Sequence, residues 1–201
     1  MAKITELSQL DLGGYYSYAD YLKWHFEEAV ELIKGKILLM SPAPSLKHQS
    51  ISRNLIIEFG NYFRNKPCRL FEAPFDVRLY DKIKSKKANQ DIFTVVQPDL
   101  CVICDRSKLD ENGCIGTPDL IIEILSKGNS KREVKTKFEL YQECGVLEYW
   151  IVYPYEETVH QFYLNEATER YELKAMFADD DLATPILFPD LKVDLRDIFA
   201  D

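Results

Sequence analysis

Two short apolar runs decide the fold of this 201-residue chain: Gln97-Pro-Asp-Leu-Cys-Val-Ile103 and Thr117-Pro-Asp-Leu-Ile-Ile-Glu-Ile-Leu-Ser126. Each run opens with Pro-Asp and is continuously apolar rather than alternating, which is typical of a strand buried on both faces. The second run carries a carboxylate, Glu123, among its isoleucines. Because burying an unpaired carboxylate costs several kcal/mol, a positive group must meet Glu123, either a cation from the chain or a bound metal.

A lysine-rich helix is predicted directly after the second run, over 131–143, with Gly145 ending it. Its apolar positions at helical spacing define an inward stripe: Val134, Phe138 and Tyr141. Lys137 borders that stripe, so this lysine is placed to approach the strand that carries Glu123.

The rest of the chain reads as alternating short strands and helices. A helix is expected from Tyr18, a loop over 105–117 and an antiparallel extension over 158–177. Three further elements are predicted: a hairpin over 30–40 about a Lys34-Gly35 turn, an amphipathic helix over 45–63, and a packing segment over 191–199. The pattern predicts one mixed α/β domain over 1–201, with 155–201 as a β-hairpin extension and tail.

The composition is that of an ordinary globular protein, with 46% hydrophobic and 29% charged residues. The apolar runs are far too short to cross a bilayer. The N-terminus lacks the apolar segment of a signal peptide. These features favour a cytoplasmic protein without a membrane anchor.

The net charge of −8 and the pI of about 5.0 argue against a protein that coats nucleic acid. They do not exclude an enzyme whose acidic site holds divalent metals and whose basic residues are locally grouped. Lys82, Lys84, Lys86 and Lys87 form one such group.

Five cysteines leave one unpaired, which argues against a disulfide framework. Cys101 and Cys104 form a Cys-x-x-Cys, a spacing found in zinc sites. No second such pair or histidine pair follows at the spacing of a zinc finger. The pattern therefore favours packing thiols over a zinc site.

Two carboxylates on neighbouring strands, with a lysine delivered by the next element, suggest a phosphodiesterase. Asp99 and Glu123 offer the oxygen ligands that Mg²⁺ prefers. Such a metal lowers the pKa of a bound water and neutralises charge on the attacked phosphate. Lys137 is suited to position that water or to assist its deprotonation.

A set of motifs recurs along about residues 18–177: Val30-Glu-Leu-Ile-Lys-Gly35, Met40-Ser-Pro42, His48, Pro98-Asp99, Pro118-Asp-Leu-Ile-Ile-Glu-Ile-Leu-Ser126, Lys137 before Leu140-Tyr141, and Gly145-Val-Leu-Glu-Tyr-Trp-Ile-Val152. Together these motifs resemble the Uma-two family of restriction-endonuclease-like proteins, part of the PD-(D/E)XK superfamily. The resemblance implies a restriction-endonuclease-like fold, in which helices flank a mixed central β-sheet. It also implies cleavage of DNA with Mg²⁺ or Mn²⁺, and a homodimer with one site for each strand.

The resemblance also implies roles for single residues. Asp99 matches the first acid of the superfamily and Glu123 the second. Leu125 stands where the general pattern has its lysine, whereas Lys137 matches the lysine of the Uma-two pattern and is expected to reach the same space.

Three further residues are expected to complete the site. Glu31 matches an acid near the start of the family pattern and is a candidate metal contact. His48 matches a histidine that opens the second helix, and Asp119 is a candidate supporting acid.

Each assignment has a plainer alternative. Asp99 is also suited to a cap or turn after Pro98, and Asp119 to a loop acid at the start of a strand. Glu123 is compatible with a buried ion pair with Lys137 that needs no metal, and Lys137 with a plain position on the helix surface. Glu31 is compatible with a strand position facing solvent, and His48 with a hydrogen bond at a helix start. A different class of function also stays open: an inactive nuclease fold retained as a DNA-binding or protein-interaction module.

Overall fold

The computed structural model describes residues 3–40, 44–80, 91–127 and 131–200. Its α-helices are Tyr18–Tyr21 (α1), Leu46–Phe63 (α2), Lys131–Cys144 (α3) and Leu195–Phe199 (α4). Its strands are Val30–Ile33 (β1), Lys36–Leu39 (β2), Arg69–Glu72 (β3), Val77–Leu79 (β4), Thr94–Val96 (β5), Leu100–Ile103 (β6), Leu109–Asp110 (β7), Gly113–Ile115 (β8), Leu120–Ile124 (β9), Glu148–Tyr153 (β10), Thr158–Asn165 (β11), Arg170–Phe177 (β12), Leu182–Ala183 (β13) and Val193–Asp194 (β14).

The central sheet has the strand order β12-β11-β10-β9-β6-β3. β9 and β10 are parallel, whereas β6 runs antiparallel to β9. The prediction that the two Pro-Asp runs form neighbouring strands is thereby confirmed, since Leu100 of β6 lies opposite Ile122 of β9. This mixed sheet with helices confirms the predicted α/β fold class.

The two faces of the sheet carry separate cores. On one face, α2 packs against alternate residues of β9 such as Leu120 and Ile122. On the other face, Ile121 packs with Leu140 and Tyr141 of α3. Because side chains alternate along a strand, Glu123 points to the same side as Ile121, towards α3.

A second sheet has the order β2-β1-β5-β4-β8-β7. Its central residues, including Val77, Val96 and Cys114, share a core with Ile121 of β9 on the α3 side. This packing brings β1, and with it Glu31, to the same side of the central sheet as α3.

The hairpin of β1 and β2 confirms the predicted turn. Lys34 and Gly35 have φ values of 50° and 79°, as expected for a two-residue turn with both central residues in the left-handed region.

Two predictions from local sequence patterns were wrong. The helix at Tyr18 lasts a single turn and is followed by an isolated bridge between Trp24 and Ile4. The span 105–117 is more than a loop, since β7 and β8 within it join the second sheet beside β4.

The C-terminal region adds a hairpin and a short packed segment to the fold. The β11–β12 hairpin continues the central sheet from β10. The predicted packing segment is confirmed, with buried residues in one core beside α2: Leu191, Val193, Leu195, Ile198 and Phe199.

The expectation that the Cys-x-x-Cys residues are packing thiols is wrong for Cys104, which forms a disulfide with Cys68. The two cysteines meet because β3 pairs with β6 in a register that sets Arg69 opposite Ile103. Cys101 remains a buried thiol.

The lysine group of residues 82–87 lies outside the described residues. Within the described ranges, no helix is long and apolar enough to cross a bilayer.

Candidate active site

A cleft of about 520 Å³ opens between α2, α3 and the central sheet. Its lining includes five of the six predicted site residues: Glu31, His48, Asp99, Glu123 and Lys137. They come from β1, α2, the start of β6, β9 and α3, so the fold alone brings them together.

Glu123 lies in β9 with 8% of its surface exposed. Its Oε1 accepts hydrogen bonds from Lys137 Nζ at 2.9 Å and from the Tyr141 hydroxyl at 2.6 Å. Burial raises the pKa of Glu123 to about 7; Asp99 and Glu31 add to this rise, whereas Lys137 opposes it. The carboxyl group is thus poised between its neutral and charged forms.

Lys137 supplies the positive partner that the sequence required. Its Nζ lies 2.9 Å from Glu123 Oε1 and 3.0 Å from Glu31 Oε1. Burial by itself would lower the pKa of Lys137, but the two carboxylates outweigh it and raise this pKa above its usual value. The ammonium group therefore stays charged inside the fold.

Glu31 is buried rather than facing solvent, with 1% of its side chain exposed. Its Oε1 accepts the backbone N–H of Gln97 at 2.9 Å in addition to Lys137. The Gln97 side chain donates to Asp76 Oδ1 at 2.9 Å. Glu31 is thereby fixed from two sides and orients Lys137.

Asp99 connects α2 with the centre of the sheet. Its Oδ1 lies 3.3 Å from His48 Nε2, and its Oδ2 accepts the backbone N–H of Ile124 at 2.7 Å. Burial disfavours charged His48, but the hydrogen bond and charge of Asp99 outweigh this and raise the His48 pKa. Since β6 and β9 are antiparallel with Leu100 opposite Ile122, Asp99 stands beside Glu123.

Asp119 is the predicted residue that the structure does not bring to the cleft lining. Its Oδ2 accepts the backbone N–H of Cys104 at 2.8 Å. Asp119 therefore caps the end of β6, which is the plainer of its two expected roles.

Two residues of the site were missed. Tyr141 was expected to be a packing residue of the α3 stripe, yet its hydroxyl contacts Glu123. Gln97 holds Glu31 through its backbone, and no side-chain pattern reports a backbone contact.

The donors in the cleft fit a divalent cation bound by two carboxylates. Within the described ranges, no three His, Cys, Asp or Glu side chains form a group that could hold a metal by itself. Mg²⁺ does not need one, because it commonly takes one or two carboxylates and keeps several waters. Asp99 and Glu123 fit that pattern, and binding through Glu123 Oε2 would leave both contacts of its Oε1 in place.

The charge of the cleft also fits a cation. Three carboxylates, those of Glu31, Asp99 and Glu123, lie beside the Lys137 ammonium group and the His48 ring. The Oε1 of Glu31 accepts two donors, as the Oε1 of Glu123 does, so Glu31 orients Lys137 and, like Glu123, remains a candidate metal contact.

Comparisons with known proteins bear on the family and the fold of the chain. The family model described as "Uma2: Putative restriction endonuclease" matches residues 18–196. Among solved structures, the chain is similar to a "putative nuclease belonging to DUF820" from Anabaena variabilis ATCC 29413, with 24% identity, 92% of this chain and 97% of that chain covered, and a TM-score of 0.68. No curated protein matches the chain. At this identity, the structural likeness shows the fold.

Proposed function

Since the chain belongs to the Uma2 family of restriction-endonuclease-like proteins, we propose that it is a metal-dependent endonuclease that hydrolyses phosphodiester bonds of DNA. The metal is Mg²⁺ or Mn²⁺, held by Asp99 and Glu123. One observation carries the proposal: the Nζ of Lys137 lies 2.9 Å from Glu123 Oε1, so α3 delivers to the site the lysine that β9 lacks at Leu125.

Each residue of the proposed site has a separate role in the reaction. When bound, the metal supplies a Lewis acid that lowers the pKa of a water and offsets phosphate charge. Lys137 holds the attacking water by hydrogen bonding and stabilises the charge that develops on the phosphate. His48 keeps the Asp99 carboxylate in place, and Glu31 keeps Lys137 in place.

The test is cleavage of supercoiled plasmid by purified protein with Mg²⁺, with Mn²⁺ or with EDTA. Glu123→Gln, Asp99→Asn and Lys137→Met should each lower the cleavage rate by about 100-fold or more. Circular dichroism should show each variant folded at the temperature of the assay.

The matched control is Asp119→Asn. Asp119 follows a proline in the same motif as Asp99 but lies outside the cleft lining, and asparagine can still accept the Cys104 N–H. This variant should cleave at the wild-type rate. Equal cleavage by wild type and Glu123→Gln would reveal a contaminating nuclease and overturn the catalytic proposal.

The alternative function, an inactive module that binds DNA or protein, predicts a different outcome. Wild type would then bind DNA without cutting it in either metal. The contact between Lys137 and Glu123 favours the active enzyme, because an expensive buried ion pair is a poor means of stabilising a core.

We further propose that the enzyme is a homodimer, because cutting both strands of a duplex requires two sites. Among the described strands, β12 lies at an edge of the central sheet, with Leu173 and Met176 exposed. An edge strand offers unpaired backbone groups to a second copy. Light scattering should give the dimer mass, and Leu173→Lys with Met176→Lys should shift it to the monomer mass.

A further inference from the structure

We propose that Lys47, Lys127 and Tyr155 form a phosphate clamp, which holds a phosphodiester of the nucleic-acid backbone beside the mouth of the cleft. The clamp rests on the proposed function and extends it. The clamp residues would contact a phosphate of the substrate other than the one that is cleaved. They belong neither to the sequence motifs nor to the catalytic site.

The clamp is built on an exposed aromatic ring. Tyr155 lies in the turn between β10 and β11 with 44% of its surface exposed. The Nζ of Lys127 lies 4.5 Å from the ring centroid and the Nζ of Lys47 lies 5.8 Å from it. Both distances are those of a cation–π contact, so one ring holds two ammonium groups.

The topology sets these residues next to the cleft. Lys47 directly precedes His48 on α2, and Lys127 directly follows Ser126 after β9; His48 and Ser126 line the cleft. β9 and β10 are parallel, so Lys127 and Tyr155 leave the sheet at the same edge. A strand of nucleic acid with one phosphate in the cleft would pass this edge.

The charges of the clamp favour an anion. Two ammonium groups on one ring repel each other, and the ring offsets only part of that cost. Glu157 pairs with Lys47 at 2.6 Å, at a side chain that remains 39% exposed. An anion between the two lysines would interact favourably with both. In a chain of net charge −8, such a local pair of cations is a specific feature that steers phosphate towards the cleft.

A phosphodiester fits better than a base. The lysines lie over the ring that a base would stack on, whereas lysine is a point charge suited to phosphate. Backbone contacts of this kind position a nucleic acid without reading its sequence. The clamp therefore contributes affinity and register rather than sequence specificity.

The salt dependence of DNA binding tests the clamp. A fluorescein-labelled duplex is titrated with full-length protein in EDTA, which prevents cleavage, at a series of KCl concentrations. Lys47→Ala and Lys127→Ala should each reduce the slope of log K against log salt by about one. Tyr155→Phe should keep the wild-type affinity, whereas Tyr155→Leu should weaken binding because the lysines lose their support.

The matched control is Lys23→Ala. Lys23 pairs with Asp20 at 2.7 Å just after α1, much as Lys47 pairs with Glu157, but its ammonium group does not lie over the Tyr155 ring. Its slope should equal that of wild type.

The possible results distinguish failure of the clamp proposal from failure of the proposed nuclease activity. If wild type cleaves plasmid and the lysine variants keep the wild-type slope, the clamp is overturned and the nuclease stands. If wild type neither binds nor cleaves DNA, both proposals fail. If the two lysines support binding of inorganic phosphate but not of duplex, the site serves the free ion and the clamp is overturned.

Discussion

Lys137 on α3 donates a hydrogen bond across 2.9 Å to Glu123 within β9, 14 positions earlier in the chain. The same ammonium group lies 3.0 Å from Glu31 Oε1. One buried cation thus serves two buried carboxylates, while Asp99 stands alongside. Three carboxylates therefore meet one lysine and one histidine in the cleft.

Removing the cation should therefore destabilise the fold. Lys137→Met leaves Glu31 and Glu123 buried without their positive partner, and breaking such a pair costs about 3–5 kcal/mol. The free energy of unfolding, measured by urea titration in EDTA, should fall by that amount. Mg²⁺ should recover part of the loss in the variant, because a ligand that binds the folded state stabilises it.

Two controls isolate the ion pair. Adding Glu31→Gln and Glu123→Gln to Lys137→Met removes the unpaired charges, so this triple variant should regain most of the stability. Lys135→Met removes a lysine of the same helix whose contact with Glu139 is exposed, and it should change stability little. Equal effects at Lys135 and Lys137 would show that the buried pair has no special energetic role.

The pH dependence of stability should report on Glu123. Burial raises its folded-state pKa from 4.5 to about 7, so between these values the folded state binds more protons than the unfolded chain. By linkage, this group makes stability fall as pH rises through that window. In EDTA, wild type should therefore lose stability from about pH 5 to about pH 7 relative to Glu123→Gln. Parallel curves for the two proteins would contradict the raised pKa.

The sequence was sufficient for the elements that dominate the site. Continuous apolar runs identify β6 and β9 as buried strands, and a carboxylate inside β9 demands a cation. Helical spacing in α3 then selects Lys137. Each of these steps depends on local patterns and on the cost of burying charge, which hold in any fold.

The features that sequence analysis did not predict depend on contacts between residues far apart in the chain. Glu31 on β1 is equally compatible with solvent or core until the second sheet packs against α3. The disulfide of Cys68 with Cys104 depends on the pairing of β3 with β6 across 36 positions. The contact from Gln97 to Glu31 uses a backbone N–H, which every residue but proline carries.

The presence of the disulfide can be tested by counting the cysteines that react with an alkylating reagent. Alkylation of the denatured, unreduced protein should modify only Cys101, Cys114 and Cys144, which form no disulfide within the described residues. Prior reduction should raise the count to all five cysteines. Since the bond closes a loop of 36 positions, reduction should lower the free energy of unfolding by about 3–4 kcal/mol.

Cys144→Ser provides the control for this experiment. It removes a partly buried thiol outside the disulfide, so it should lower both alkylation counts by one and leave the effect of reductant unchanged. Five alkylated cysteines without reductant would show that Cys68 and Cys104 are thiols in solution.

Glu148 should matter for stability and not for catalysis. It is fully buried at the start of β10, and its carboxylate accepts hydrogen bonds from Trp150 Nε1 at 2.7 Å and from Gln161 Nε2 at 2.8 Å. The backbone N–H groups of Ile186 and Leu187 also donate to it, at 3.0 and 2.9 Å. Four neutral donors thus satisfy the Glu148 carboxyl oxygens and hold the segment before α4 against the sheet.

Glu148→Ala should lower the free energy of unfolding by about 3 kcal/mol, because several buried donors lose their acceptor at once. Cleavage per folded molecule should stay at the wild-type level, since Glu148 is not among the residues that line the cleft. Glu172→Ala, at an exposed carboxylate paired with Lys174, should leave the unfolding curve unchanged. A loss of cleavage in folded Glu148→Ala would mean that the C-terminal segment reaches the active site. A stability equal to that of Glu172→Ala would mean that the four hydrogen bonds contribute nothing.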